Sequence, residues 1–215
     1  MSLQLDHIVV CVADLDDAAR QFEEQHGVLS VAGGRHPGHG TANRLIPLGE
    51  SYIELLAVVA PKEAMTSPLG TWAMHRAAAP GAHGVCLRTD DLDSASRRLE
   101  LEQMEMSRVT PDGVILRWRL AGLKQALAHQ VPFFITWDVP ADLHPGRAEI
   151  EHPAGDVRLV GVEMRGNHEH MRRLQDWAPE PEGLSYVPAV NGERRIGFRL
   201  VVGDRAGKDE PSAVL

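Results

Sequence analysis

Cysteine is nearly absent from this sequence, with only Cys11 and Cys86 in 215 residues. That count excludes a disulfide framework and a cysteine-based zinc ribbon. Basic residues are also short, 22 Lys and Arg against 30 Asp and Glu, a formal charge of −8. Nucleic-acid binders ordinarily show the reverse excess, so no nucleic-acid partner is expected. No apolar run exceeds strand length, so no membrane span is expected. The opening MSLQLDHIVV lacks a basic stretch ahead of its apolar residues, which argues against a secretory leader. With two unpaired cysteines on strand-like segments, the expected location is a reducing, cytoplasmic one. A Gly-x-Ser-x-Gly elbow, a phosphate loop and a dinucleotide fingerprint are missing too, so no nucleotide cofactor is expected. What is present is an ordinary globular composition, 43% hydrophobic and 24% charged, and eleven histidines.

The chain repeats itself. Leu5 to Val12 (LDHIVVCV) is apolar on both alternating faces and reads as a strand covered on both sides. In ADLDDAARQFEEQHG, Asp14 can cap a helix, Leu15, Ala18, Ala19 and Phe22 fall at helical spacing, and Gly27 closes it. A short strand at Val28 to Val31, a Gly-rich loop (GGRHPGHG) and strands in TANRLIPL and SYIELLAVV complete the unit. The order then returns: GVCLRT from Gly84, a capped helix in DDLDSASRRLELEQ, and strands at Met106 to Val109, Val114 to Ala121 and Val131 to Trp137. ADLDDAAR begins at Ala13 and DDLDSASR at Asp90, an offset of 77 residues, so a βαβββ unit occurs twice. A truncated βαββ unit follows, with strands at Arg158 to Met164, Leu184 to Val187 and Arg195 to Val202, and a helix at Asn167 to Trp177. The expected fold class is α+β. The modules occupy residues 1–60 and 82–140, a linker with a short helix near Thr71 to Ala79 covers 61–81, and a connection covers 141–156. The third unit covers 157–203 and a flexible tail 204–215.

Two successive βαβββ units resemble the vicinal oxygen chelate superfamily, and LDHIVVCVADLDDAAR resembles the first strand and helix of glyoxalase and extradiol dioxygenase modules. GGRHPGHGTANRLIPLGESYIELLAV and VPFFITWDVPADLHPG resemble, more narrowly, the glyoxalase-like domain family of bacterial proteins. The resemblance implies that each module curls into a half-barrel, that two halves make a cup, and that ligand-bearing positions sit on the first and fourth strands of each module. Pairing of modules across a homodimer is a variation it also implies.

On that resemblance the metal-ligand positions of the first module are His7 and Glu54. Glu54 interrupts an apolar run of Tyr52, Ile53, Leu55 and Leu56. A carboxylate there is costly unless paired, hydrogen-bonded or metal-bound. If unpaired it has a raised pKa and can abstract a proton next to a carbonyl, which makes Glu54 the expected catalytic residue. Imidazole with carboxylate suits a divalent ion such as Zn, Mn, Ni or Fe. The second module departs from the pattern: the offset carries His7 onto Gly84, and Glu54 to near Thr136. His83 completes a two-His, one-carboxylate set if a bulge alters the register.

Expected substrate contacts are His36, His39, Thr41 and Asn43 on the Gly-rich loop, and Phe134 and Thr136 on the second module's last strand. Arg119 joins them as a bidentate partner for a carboxylate or enolate. His144, His152, His168 and His170 read as loop or surface residues, His26 as a helix-terminal one, and His75 and His129 carry no pattern. The expected function is a lyase- or isomerase-type proton transfer on a small oxygen-containing molecule, metal-assisted or Glu-based. A non-catalytic small-molecule binder of the same fold and, more remotely, an extradiol-type dioxygenase stay open.

Overall fold

The computed structural model describes residues 2–79, 81–109, 113–189, 191–203 and 210–214. Its first module runs β1 (Leu3–Cys11), α1 (Leu15–His26), β2 (Val31–His36), β3 (Thr41–Pro47) and β4 (Tyr52–Val58). Asp14 caps α1 by accepting from the Asp16 and Asp17 amides, a contact that contributes about 1 kcal/mol. Gly27 ends the helix in the left-handed conformation that its missing Cβ permits. The linker holds α2 (Pro61–Ala64) and α3 (Pro68–Arg76). The second module repeats the order with β5 (Gly84–Thr89), α4 (Leu92–Leu99), β6 (Gln103–Val109), β7 (Ile115–Ala121) and β8 (Phe133–Trp137), and inserts α5 (Leu123–His129) before its last strand.

The repeat dictates the sheet. β1 and β5 lie antiparallel at the centre, and each takes the last strand of its own module as a parallel neighbour. The order is β2-β3-β4-β1-β5-β8-β7-β6, so the two modules pair within one chain. The sheet curves until its edges approach: a methyl group placed on Gly34 of β2 would lie 3.7 Å from Arg108 Cδ of β6.

One irregularity in β1 decides which side chains face inward. The β1–β5 ladder slips between Leu5 and His7, leaving Asp6 as the extra residue of a bulge. Leu3 and Leu5 before it, and Ile8 and Val10 after it, therefore all face the large outer core. His7, Val9 and Cys11 turn to the concave side, where Val9 and Cys11 join an inner cluster with Leu56, Cys86, Leu120, Phe133 and Ile135. Helices α3 and α5 cover this cluster through Leu69, Trp72, Leu123 and Ala126.

The third unit is β9 (Asp156–Gly166), α6 (His168–Trp177), β10 (Leu184–Pro188) and β11 (Arg195–Gly203). As expected, Asn167 caps α6 by accepting from the His170 amide. Here β9 pairs in parallel with the strand directly after its helix, unlike the two modules. With β12 (Glu210–Val214) it makes a sheet of order β10-β9-β11-β12, whose Val162, Met164, Ile196 and Phe198 pack into the outer core. The flexible tail expected over 204–215 falls partly outside the described residues, at 204–209 and 215, while Glu210–Val214 pairs with β11. Among the described residues no helix is long and apolar enough to cross a membrane.

Candidate active site

The concave side encloses a cavity of about 140 Å³. A cavity of about 150 Å³ takes benzene, so this one suits a body of that size. Its wall is largely apolar and aromatic, with Tyr52, Trp72, Trp118, Phe133 and Trp137. Glu54 projects into it from β4, its side chain 14% exposed. It is not unpaired: Asn43 Nδ2 donates to Glu54 Oε1 at 2.6 Å, and His7 Nε2 stands 3.6 Å from Oε2.

Asn43 is itself held in place. The β2–β3 ladder slips between Ala32 and Arg35, and the Gly34 amide donates to Asn43 Oδ1 at 2.7 Å. That bond turns the Asn43 amide so that its NH₂ faces Glu54. Gly33 makes room, since a Cβ there would fall 1.9 Å from Asn43 Oδ1. The glycines expected in a flap thus sit in an edge strand, as the bulge that aims Asn43.

Behind His7 stands Asp6, fully buried. His7 Nδ1 donates to its Oδ1 at 2.7 Å, and His144 Nε2 and Trp137 Nε1 both donate to its Oδ2 at 3.0 Å. Burial alone would push the Asp6 carboxyl up, but the hydrogen bonds and charges of His144 and His7 outweigh it and hold it well below the usual carboxylate range. An ionised Asp6 fixes the proton of His7 on Nδ1 and turns Nε2 toward Glu54. Tyr52 stacks on the imidazole, centroids 4.5 Å apart, and Phe133 meets it edge-on at 5.5 Å.

The family model for the "Glyoxalase-like domain" matches residues 5–178. The chain belongs to the glyoxalase-like domain family. As a glyoxalase-like protein it carries the tandem-module architecture of the vicinal oxygen chelate superfamily. A hypothetical protein from Staphylococcus aureus shares the fold at TM-score 0.67 and 19% identity, over 88% of this chain and 87% of that one. Methylmalonyl-CoA epimerase from Mycobacterium tuberculosis superposes at TM-score 0.46 and 22% identity, over 65% of this chain and 90% of that one. No curated protein matches significantly.

The glyoxalase-like cup is asymmetric in its donors. Val9 pairs with Glu54 in the first module, and Cys86, 77 residues on from Val9, pairs with Phe133 in the second. Phe133, not Thr136, is therefore the counterpart of Glu54, and Gly84 that of His7. The two positions that would complete a four-ligand site carry a phenyl ring and no side chain. His83 does not replace them: its Nδ1 accepts the Cys11 amide at 3.1 Å. His36 Nε2 lies 4.0 Å from Glu54 Oε1. Even so, among the described residues only Asp6, His7 and Cys86 bring one ligand atom each within 4.8 Å of one another. In that trio Asp6 already accepts three hydrogen bonds, and Cys86 is fully buried within the inner apolar cluster. These residues do not build the three- or four-donor shell of a divalent ion, nor the facial triad of an extradiol-type oxygenase.

The other expected residues divide cleanly. His36, His39 and Asn43 line the cavity, and Thr41 lies behind them with its hydroxyl 2.9 Å from His36 Nδ1. Burial pushes His36 down, against the pull of Glu54. Three expected contacts lie outside the cup and need correction. On β8 the inward residues are Phe133, Ile135 and Trp137, so alternation turns Phe134 into the outer core against Trp177 and aims the Thr136 hydroxyl at the Thr89 carbonyl. On β7 Trp118 and Leu120 face inward, and Arg119 pairs outside with Asp93 and Asp138. His144, expected in a loop, does anchor one, accepting the Gly146 amide, but it is buried and serves the site through Asp6. Asp6 and Arg108, which also lines the cavity, were not expected. The Asp-His pair inside an otherwise apolar strand was a visible signal for the first.

Proposed function

We propose that this chain is an enzyme that moves a proton on a small oxygen-containing molecule held in the cup, with Glu54 as the base. Glu54 is the only carboxylate among the described residues lining the cavity, and this observation carries the reading. Asn43 engages Oε1, which leaves Oε2 to take the proton. A C–H next to a carbonyl breaks, its electron pair moves onto the carbonyl oxygen as an enolate, and the proton passes to Glu54. Return of the proton to the other face or to a neighbouring carbon gives an isomerase, and loss of a β-substituent from the enolate gives a lyase. His7, protonated at Nδ1 by its bond to Asp6, offers the Nε2 lone pair to the protonated Glu54 and keeps the proton within the site. A base so placed contributes about 10²–10⁴-fold in rate.

The aromatic wall favours one other reading, a non-catalytic binder of a flat apolar molecule. Incubating the protein with a panel of small 2-oxo acids in D₂O, and following loss of the C3 proton signal by NMR, separates the two. The enzyme reading expects exchange above the buffer rate with the wild type and a loss of at least about 100-fold in Glu54→Gln. Tight binding of a panel member without exchange in either protein supports the binder.

A further inference from the structure

Arg108 lies on β6, the edge strand farthest from Glu54 in sheet order, yet it lines the same cavity. Curvature brings it there, closing the mouth against Gly34. Three other arginines of this sheet have outward partners: Arg119 has Asp93 and Asp138, Arg44 has Asp16, and Arg88 has Glu50. Arg108 makes no side-chain hydrogen bond or ion pair to any described residue, although it is half-buried. Burial lowers its pKa, and the fields of Tyr52 and Glu54 work against that loss. A guanidinium kept without a partner on the wall of an apolar cup is an incomplete site: its donors need an anion, and a planar carboxylate matches its fork.

We propose that Arg108 is a substrate-binding residue that pairs with a carboxylate, so the cup takes small organic acids with a flat or compact apolar body. The inference rests on the proton-transfer reading only in calling the ligand a substrate; the geometry applies to any bound acid. Aromatic rings from Trp72, Trp118 and Trp137 receive the body, and Glu54 faces the carbon chain. Glu54 repels a second negative charge at its own end of the cup, which orients the acid with its carboxylate toward Arg108.

The test uses benzoate and its neutral isostere benzamide, titrated calorimetrically into the full chain at pH 7. Benzoate is expected to bind at least about 10-fold more tightly than benzamide. Arg108→Met is expected to weaken benzoate about 10- to 100-fold while leaving benzamide unchanged. Arg108→Lys, which keeps the charge without the fork, is expected to fall between, and Glu54→Gln to bind benzoate as tightly as the wild type or more so. Circular dichroism verifies that each variant is folded. Equal affinity for the two probes, no benzoate binding, or a preference that survives Arg108→Met overturns the proposal. Because the readout is binding, its failure leaves the Glu54 proton-exchange test standing, and the reverse also holds.

Discussion

Replacing Asp6 tests whether the bulge in β1 organises the site. The carboxylate is fully buried and accepts from His7, His144 and Trp137. Asp6→Ala leaves three donors without an acceptor, His7 and His144 buried and Trp137 half-buried, each buried one costing about 1–3 kcal/mol. Water entering the vacated space recovers part of this, so the expected loss is about 3–5 kcal/mol, a large share of the roughly 5–15 kcal/mol that holds a domain together. Asp6→Asn keeps one oxygen acceptor but turns an NH₂ toward a donor, and is expected to lose about 1–3 kcal/mol. The pH dependence carries a sign. The folded pKa of Asp6 lies below its ordinary 3.8, so its stabilisation is complete above about pH 4 and drains away as pH falls toward the folded value. Urea unfolding followed by circular dichroism, from pH 7 down to pH 3, measures both effects. The acid limb is expected to be shallower in Asp6→Asn than in the wild type. A loss below about 1 kcal/mol for Asp6→Ala, or parallel acid limbs, refutes the reasoning.

Three further outcomes follow from the packing. Gly33→Ala places a methyl group against Asn43 Oδ1, so Asn43 must leave Glu54, and the proton-exchange rate is expected to drop about 10-fold with the far-UV spectrum unchanged. Phe134→Ala is expected to destabilise by about 3–5 kcal/mol in urea yet leave ligand affinity intact, because the ring fills the outer core and not the cup. His170 is buried with neither ring nitrogen partnered, and burial, with Arg194 and Arg173, pushes it down to about 4. Its folded pKa is below its unfolded one, so its protonation favours the unfolded chain: wild-type stability declines as pH falls from about 6.5 toward about 4, and His170→Leu is expected to flatten that decline in thermal melts.

Much of this architecture was legible in the chain. The repeated ADLDDAAR and DDLDSASR caps announced two modules, and a lone glutamate in an apolar strand pointed to Glu54. What escaped depended on register. Regular alternation would put Asp6 and His7 on opposite faces, and only the bulge brings them together. The same one-residue sensitivity placed Thr136 and Phe134 in the cup where Phe133 belongs. Arg108 was hidden because its place depends on how far the sheet curls, a property of eight strands together. Helix α5, seven residues between two strands, was too short for its periodicity to stand out.

The central claim is that Glu54, held by Asn43 and backed by the His7–Asp6 pair, moves a proton with the chain's own residues. The most direct measurement is the C3-proton exchange rate of a bound 2-oxo acid in D₂O, after chelator treatment and before and after adding Zn²⁺, Mn²⁺ or Ni²⁺. The account expects exchange to persist in the chelated wild type, to be unchanged by added metal, and to vanish in Glu54→Gln. Exchange that disappears on chelation and returns with metal, or that continues in Glu54→Gln, contradicts it.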